Sequence, residues 1–360
     1  MYKQITIKNF RGIRELTVPL SQFNIFTGKN NAGKSTILEA LFLSVLQDAR
    51  AADWIAGFRG AINNWQKLEA WRYFFSIGID KPSVEISLVD DHDQTKQLSI
   101  NLYNLAAQGK TFIDKEFEGT IIHDTIDEYL STGLLFTSNQ TSNIYDYMSS
   151  IRVVADQSNP IYEKNQEPLQ PIGRVPYLHS AWTGFESTAR EYSKLKIEMK
   201  NRIVFDAIKA IEPRLKSISI EAPTGVPSLY VDIGLNRLLP ISFLGDGTIW
   251  ISDVTTVIAS SEVNAVLLDE VDSGLHFSVM KEVWKHIHKI AKECNTQIFA
   301  TTHSRECIMA AHEAFIEDEA NGMPYELSVH KLARYDDETR VATFGKETLT
   351  TSYDLDLEVR

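Results

Sequence analysis

Apolar and polar residues alternate through the first 27 positions, which is the pattern of half-buried β-strands. The alternating positions form three runs: Ile5 and Ile7; Leu16, Val18 and Leu20; Phe23, Ile25 and Phe26. Each run predicts one short strand. From residue 35 to 48 the apolar residues instead recur three or four positions apart, which predicts a helix directly after the third strand.

The chain between residues 54 and 172 changes pattern twice. Residues 54–75 are rich in aromatic side chains and predict a packed helical stretch. Residues 83–117 form short alternating segments, which favour antiparallel strands. Residues 138–172 are rich in Asn, Ser, Gln and Pro, and we predict a loop or a partly ordered segment there.

The second half begins near Arg174 with a predicted helix over residues 185–212, which Pro213 ends. Further elements follow in order: two short strands, a helix over 247–260, a buried run at 265–269, a helix over 276–293, a strand at 297–302, a helix from Ser304, and a closing strand pair. Strands and helices in this order favour a largely parallel sheet with helices on its faces. We therefore predict an α/β chain in two lobes, residues 1–173 and 174–360.

The charge balance bears on the partners that the chain can bind. Its 360 residues include 36 Lys and Arg against 48 Asp and Glu, a net charge of −12. This argues against a protein that coats DNA non-specifically, because such binding depends on phosphate neutralisation by Lys and Arg. One local basic cluster lies in the predicted helix over 185–212: Arg190, Lys194, Lys196, Lys200 and Arg202. It is either a contact for nucleic acid or a protein partner, or an ordinary solvated helix face.

Two further features limit the class of protein. Cys294 and Cys307 are the only cysteines, which excludes a disulfide framework and a thiolate zinc cage, and we interpret both as small buried or half-buried apolar residues. The N-terminus lacks the apolar region of a signal peptide, and no apolar run reaches the ~20 residues of a membrane span. We therefore expect a cytoplasmic protein.

A glycine-containing segment joins the third predicted strand to the first predicted helix. Residues 28–35 read G-x-x-x-x-G-K-S, the Walker A pattern, with a strand before it and a helix after it. Gly28 and Gly33 let successive backbone N–H groups point at phosphate oxygens, and the helix N-terminus adds a positive dipole end. We expect Lys34 to reach the β- and γ-phosphates and Ser35 to ligate Mg²⁺. The predicted ATP-binding residues are Gly28, Lys29, Asn30, Asn31, Ala32, Gly33, Lys34, Ser35 and Thr36.

Two acidic residues follow the apolar run of the second half. Asp269 and Glu270 come directly after Ala-Val-Leu-Leu, and a buried strand delivers its last residues to the sheet edge where α/β folds bind ligands. Beside a Walker A motif we interpret Asp269 as a Mg²⁺ ligand, direct or through water, and Glu270 as the base that polarises the attacking water. Such a base contributes about 10²–10⁴-fold to rate. His303, at the tip of the next predicted strand, is placed to contact the γ-phosphate or this water.

Together these segments resemble ABC-class ATPases of the RecF, SMC and OLD (overcoming lysogenization defect) group. The resemblance rests on ITIKNFRG at 5–12, IFTGKNNAGKST at 25–36, LLDE at 267–270, the D-loop-like DSGL at 272–275, and His303. It spans nearly the whole chain. It implies an ABC-ATPase head: a mixed β-sheet core with flanking helices, an antiparallel β lobe and a short helical lobe.

The resemblance also implies the chemistry and the assembly. The implied ligands are ATP and Mg²⁺. The implied catalytic residues are Lys34, Glu270 and His303, and Asp272 is an implied contact of the nucleotide. In such ATPases a signature loop of one subunit closes over the γ-phosphate bound by the other, so a homodimer or higher homo-oligomer is expected. The segment SFLGDG at 242–247 lies where this loop is expected, and it keeps Gly245 and Gly247.

Two positions depart from the family pattern, and the role of a third is open. The usual sequence of the signature loop is Leu-Ser-Gly-Gly-Gln or Glu, whereas here the serine is displaced and Asp246 adds a negative charge near an anion. The Q-loop glutamine has no clear counterpart, and the strand end at 175–180 is the predicted position for it. Arg59, which could stand where SMC-like heads carry a DNA-sensing arginine loop, is interpreted as part of a surface turn.

The resemblance implies a function by what the chain lacks as well. SMC proteins carry coiled-coil arms of hundreds of residues, whereas the predicted helices here are shorter than thirty residues. OLD nucleases carry a Toprim domain, but Asp354 and Asp356 come too late in the chain to build its metal site. We therefore expect no nuclease in this chain. The resemblance then implies a slow ATPase that acts as a switch in bacterial defence against phage. The switch would control a separate effector, which is a nuclease, a Toprim-type protein or a toxin. The alternative is a RecF-like ATPase that binds DNA. A GTPase is disfavoured because the chain has no Asn/Thr-Lys-x-Asp base-reading motif. A small-molecule kinase is disfavoured because it would not need adjacent Asp269 and Glu270 with His303 downstream.

Overall fold

The structure is a computed structural model. It describes residues 1–46, 50–60, 74–75, 83–104, 132–138, 142–146, 151–156, 159–164, 175–179, 185–260, 263–336 and 338–354. Parts of three predictions lie outside the described residues: most of the aromatic stretch after residue 60, the predicted strands after residue 104, and the lobe boundary at 173/174.

An antiparallel sheet takes up most of the N-terminal half. In spatial order its strands are β2 (Ile13–Pro19), β1 (Tyr2–Phe10), β4 (Ser83–Asp90), β5 (Thr95–Asn104), β6 (Thr132–Ser138), β7 (Ser142–Asp146), β8 (Ile151–Asp156) and β9 (Asn159–Lys164). In β1 the alternation seen in the sequence becomes burial of Ile5 and Ile7 with polar neighbours turned outward. One apolar face is what an antiparallel sheet packed on a single core requires.

The predicted loop over residues 138–172 is wrong, because β7, β8 and β9 lie there. Backbone pairing joins Ile144 to Val153 and Val154 to Ile161. Asn, Ser, Gln and Pro indicate turns, but the short β-branched and aromatic segments between them form strands once a neighbouring strand supplies hydrogen-bond partners. A composition averaged over 35 residues hides this spacing.

A second sheet contains the strands that the candidate motifs follow. Its order is β10 (Tyr177–His179), β14 (Ala265–Asp269), β15 (Gln297–Thr301), β3 (Phe23–Gly28), β16 (Leu327–Tyr335) and β17 (Glu338–Phe344). The first five strands are parallel, and β17 is antiparallel to β16. β3 comes from the N-terminal half yet lies between β15 and β16, so both predicted lobes build this sheet.

Helices cover the second sheet. They are α1 (Lys34–Leu46), α2 (Arg50–Phe58), α3 (Phe185–Ile197), α4 (Arg202–Ile211), α5 (Asp246–Ala259), α6 (Phe277–Glu293), α7 (Arg305–Ala320) and α8 (Lys346–Asp354). In the described part of the chain, no helix is both long and apolar enough to cross a membrane. A small sheet of β11 (Ser217–Glu221), β12 (Ser228–Asp232) and β13 (Leu239–Pro240) precedes a 3-10 turn at Ile241–Leu244.

The single helix predicted over residues 185–212 is two helices, α3 and α4. Met199 has a φ of 60°, and the N–H of Lys200 donates to the carbonyl of Leu195 at 2.8 Å. A left-handed residue with this backward hydrogen bond is a common way to end a helix. Apolar spacing alone did not reveal the break, because it continues in phase across the turn.

Two apolar cores lie on the two faces of the second sheet. Val266 and Leu268 of β14 belong to the core beneath helices α3 to α7, whereas Ala265 and Leu267 belong to the core shared with α1 and the antiparallel sheet. Every residue of β14 is buried, which explains its unbroken apolar run. Of the two cysteines, Cys307 is buried and Cys294 half-buried, as predicted.

Candidate functional site

The loop between β3 and α1 has a backbone that glycine makes possible. Gly28 and Gly33 have φ values of 138° and 101°, and Asn31 between them has 62°. A Cβ on Gly28 would lie 2.3 Å from the carbonyl oxygen of Leu332 in β16, so only glycine fits there. Residues 29–31 are exposed at the tip of this phosphate loop, and Thr36 is half-buried in the first turn of α1.

Lys34 lies inside the phosphate loop. Its Nζ donates to the carbonyl oxygens of Gly28 at 3.0 Å and Lys29 at 3.1 Å. Burial lowers the pKa of this ammonium, while the charges of Asp269, Glu270 and Asp272 act in the opposite direction. A mostly buried cation that donates to neutral carbonyls within a glycine-containing loop fits an anionic ligand such as a polyphosphate.

Asp269 ends β14 and faces the first turn of α1. The Ser35 hydroxyl donates to its Oδ1 at 3.1 Å, although 234 residues separate the two in the chain. Thr301 at the end of β15 donates to the same oxygen at 2.5 Å, and the Tyr177 hydroxyl donates to Oδ2 at 3.0 Å. Burial together with the charge of Asp269 raises the pKa of Tyr177, so its hydroxyl stays a donor.

The other predicted catalytic residues lie at the same sheet edge. Glu270 follows β14, has an exposed side chain and a φ of 56°, and its N–H donates to the Thr301 hydroxyl at 2.8 Å. Asp272 accepts a hydrogen bond of 2.5 Å from Thr302, and the exposed His303 comes next in the chain. The structure therefore brings the phosphate loop, both acidic residues, Asp272 and His303 to the carboxyl ends of β3, β14 and β15, where such sheets bind ligands.

Comparisons with known proteins agree with this geometry. Residues 1–172 match the AAA ATPase domain family AAA_15. A Helicobacter pylori protein named ATP/GTP phosphatase is 25% identical over 328 residues, which is 86% of each chain. An uncharacterised Methanocaldococcus jannaschii protein is 29% identical over 178 residues, which is 45% of this chain and 70% of that one.

Solved SMC heads share the fold. One, bound to the C-terminal winged-helix domain of ScpA, has a TM-score of 0.51 at 13% identity and covers 97% of this chain and 99% of its own. Another, from Pyrococcus furiosus, carries an extended coiled coil and is bound to the C-terminal domain of ScpA; it has a TM-score of 0.50 at 12% identity and covers 99% of both chains. At such low identity these structures support the fold alone.

Residues 1–172 thus resemble an AAA ATPase domain, and the chain has the fold of SMC heads. The predicted fold class, an ABC-ATPase head with a mixed sheet, flanking helices and an antiparallel sheet, is confirmed. The match to an ATPase domain supports nucleotide hydrolysis in general. The roles of individual residues stay predictions.

The signature-like loop, residues 242–247, contacts the segment after Asp272. Gly245 is exposed with a φ of 95°, and α5 begins at Asp246. A Cβ on Gly247 would lie 3.0 Å from the carbonyl oxygen of Gly274 and 3.1 Å from Leu275 Cδ2. Among the described residues, no hydrogen bond links this loop to residues 28–36 of the same chain.

The position predicted for the Q-loop is strand β10, at the edge of the second sheet beside β14. In the parallel register His179 lies opposite Asp269, and Tyr177 reaches the Asp269 carboxylate. Neither Tyr177 nor Thr301 has a role predicted from the sequence. A polar side chain near the end of each strand flanking the Walker B strand was the available signal.

Arg59 lies in a turn, as predicted, but its side chain is tied to the core. Its Nε and Nη2 lie 2.8 and 2.7 Å from Oε1 of Glu39, and the Nε of Arg11 lies 2.7 Å from Oε2. Glu39 is almost wholly buried in α1, one turn after Ser35. This triad joins the turn after β1 and the end of α2 to the helix that carries the phosphate loop. The sequence contains one indication of this triad: Glu39 is a single acidic residue among the apolar residues of α1.

The basic cluster of α3 and α4 is largely paired with carboxylates of the same hairpin. Arg190 contacts Glu186, Lys194 contacts Glu191, Lys200 contacts Glu198, and Arg202 contacts Asp206. Each paired acid reduces the positive potential that a phosphate backbone would meet. This arrangement favours the interpretation as a solvated face.

Proposed function

We propose that the chain is a nucleotide-controlled switch that binds ATP in the phosphate loop, hydrolyses it slowly with Glu270 as the base, and closes as a homodimer around it. The hydrogen bond from Ser35 to Asp269 carries this proposal. It joins the loop that fits a polyphosphate to the strand that supplies acidic groups, across 234 residues of sequence.

The residues present fit Mg²⁺ as well as ATP. Ser35 and Asp269 offer a hydroxyl and a carboxylate oxygen, which are ligand types that Mg²⁺ accepts together with phosphate oxygens and water. In the described part of the chain no group of three His, Cys, Asp or Glu residues could hold a metal ion without other ligands. A Mg²⁺ site that also uses phosphate oxygens and water does not need such a group. When bound, Mg²⁺ would neutralise phosphate charge during the transfer.

Glu270 suits the role of base through its position. It follows the residue that we assign to the metal, its carboxylate is exposed, and its backbone is held by Thr301. We assign it to accept a proton from the water that attacks the γ-phosphate, and His303, exposed at the next strand end, to contact that phosphate. Lys34 would exchange its two carbonyl partners for phosphate oxygens.

Exposed aromatic side chains beside the signature-like loop support the homodimer. Phe243 within this loop and Phe277 just after the Asp272 segment are 76% and 66% exposed. Gly245 between them offers open backbone beside the N-terminus of α5. A second copy that brings this face over the phosphate loop would cover both rings and complete the site from the other side.

Nucleotide hydrolysis with defined variants tests the proposal. We expect Lys34→Ala to weaken ATP binding, and Asp269→Asn and Glu270→Gln to keep binding while turnover falls by about 10²-fold or more. The relative's name includes GTP, so GTP is tested in parallel. Glu270→Gln should form an ATP-dependent dimer on size exclusion, and Phe243→Ala in that background should lower the dimer fraction. Wild-type turnover by Glu270→Gln would contradict the assignment of the base.

We propose further that ATP-driven dimerisation controls a separate effector, a nuclease, a Toprim-type protein or a toxin, in bacterial defence against phage. The surface supports a protein partner more than DNA: the net charge is −12, and the tip of the α3–α4 hairpin exposes Ile197 and Met199 at 81% and 85%. Infection of cells that carry the wild-type gene and its neighbours, with Glu270→Gln as the control, tests this role. Equal phage growth in both would contradict it.

A further inference from the structure

We propose that Thr301, assisted by Tyr177, is the positioning residue for both acidic groups of the site. This rests on the proposed function, because it concerns how Asp269 and Glu270 are held for the roles assigned to them. Neither hydroxyl belongs to a motif of the sequence: Thr301 ends β15 two residues before His303, and Tyr177 begins β10.

The Thr301 hydroxyl donates one hydrogen bond and accepts another. A threonine hydroxyl has one hydrogen to donate and can accept as well. Here it donates to Asp269 Oδ1 at 2.5 Å and accepts from the Glu270 N–H at 2.8 Å. The parallel pairing of Leu268 with Ala300 brings the next residue of each strand together, so this double contact follows from the register.

The same residue fixes the turn after β14. Glu270 has a φ of 56°, a left-handed conformation that is strained for a residue other than glycine. The N–H groups of Glu270 and Val271 donate to the hydroxyl and the carbonyl oxygen of Thr301, at 2.8 and 2.9 Å. Two successive hydrogen bonds to one residue hold this turn, and with it the direction of the Glu270 side chain.

Tyr177 fixes the second carboxylate oxygen. Its hydroxyl donates to Oδ2 at 3.0 Å, and its buried ring packs edge-on against Phe42 of α1, with centroids 5.9 Å apart. Asp269 therefore accepts from Thr301 and Ser35 on one oxygen and from Tyr177 on the other, so rotating the carboxylate breaks at least one hydrogen bond. Because the Ser35 hydrogen is directed at Asp269, the lone pairs of Ser35 are left for Mg²⁺.

The two hydroxyls predict different kinetic effects. Thr301→Val keeps the side-chain shape but loses both hydrogen bonds of the hydroxyl. We expect the Mg²⁺ concentration that half-saturates binding of a fluorescent ATP analogue to rise about tenfold, and kcat at saturating Mg²⁺ to fall about tenfold or more. Tyr177→Phe leaves the Glu270 turn held, so the Mg²⁺ requirement should rise about three- to tenfold with a smaller loss of kcat. Thr301→Ser keeps the hydroxyl and should restore both values.

Matched controls separate this inference from the proposed function. Tyr192→Phe removes a hydroxyl from another buried tyrosine, in α3, and should leave both values at wild type. If Asp269→Asn and Glu270→Gln lose activity but Thr301→Val keeps the wild-type Mg²⁺ dependence and kcat, the positioning role is wrong and the function stands. If those acid variants turn over normally, the function itself fails. If Thr301→Val does not fold, an unchanged Mg²⁺ requirement in Tyr177→Phe overturns the inference.

Discussion

We expect the buried carboxyl group of Asp253 to make the stability of the protein depend on pH. Asp253 lies in α5, the helix that begins at the signature-like loop, and its side chain accepts a hydrogen bond of 2.6 Å from Thr188 of α3. Burial raises its pKa from 3.8 to about 6, because the charged form loses its hydration. The hydrogen bond from Thr188 offsets part of this rise.

The sign and size of the effect follow from linkage. Between pH 4 and 6 the folded state holds the proton more tightly than the unfolded state, so this group's contribution to the free energy of unfolding falls as pH rises. Above pH 6 the loss levels off near 3 kcal/mol, since about 2.2 pKa units at 1.36 kcal/mol each separate the two states. Below pH 4 the carboxyl is protonated in both states and the loss vanishes.

Asp253→Asn should remove this dependence while it keeps the size of the side chain. We expect the difference in unfolding free energy, variant minus wild type, to be about 1 kcal/mol larger at pH 7.5 than at pH 5, measured by urea denaturation. The added amide N–H groups cost a pH-independent amount when buried, so only the change with pH is compared. Asp206→Asn, at a half-exposed carboxylate of α4, is the control. A difference that stays constant from pH 5 to 7.5 would refute the reasoning.

Three further predictions concern the phosphate loop, the α1 triad and DNA. Gly28→Ala should abolish binding of a fluorescent ATP analogue, because the new Cβ would meet the Leu332 carbonyl at 2.3 Å; normal affinity would contradict the tight approach. Glu39→Ala should cost about 3–5 kcal/mol in chemical denaturation, since it leaves Arg11 and Arg59 without their buried carboxylate; a loss under 1 kcal/mol would rule this out. DNA affinity should be weak and fall little between 50 and 200 mM salt, whereas a slope of about one log unit per phosphate contact would revive the RecF-like alternative.

The sequence predicted the parts of the fold that depend on local pattern and on motif. The unbroken apolar run before Asp269 indicated a strand buried on both faces, and β14 is such a strand. The glycine spacing around Lys34 indicated a wrapped backbone, which the positive φ of Gly28 and Gly33 confirms. Both signals lie within a few residues, so one sequence is enough to find them.

What the sequence missed depends on contacts between distant segments. Thr301 and Tyr177 are ordinary strand residues until the register places each beside Asp269. In the sequence Glu39 is one acidic residue in an apolar helix. Only the structure shows that Arg11 and Arg59, from two other turns, form ion pairs with it. Pairing partners of this kind are set by tertiary structure, which no local pattern encodes.

The central place of β3 has a consequence for how the chain folds as it is synthesised. Residues 23–28 pair with residues 298–301 on one side and 327–332 on the other. The phosphate loop at the end of this strand therefore lacks both flanking strands until some 300 residues have been made. Contacts so distant in sequence form late and slowly, so a ribosome-bound fragment that ends before β15 should be unable to capture ATP, however complete its Walker A motif.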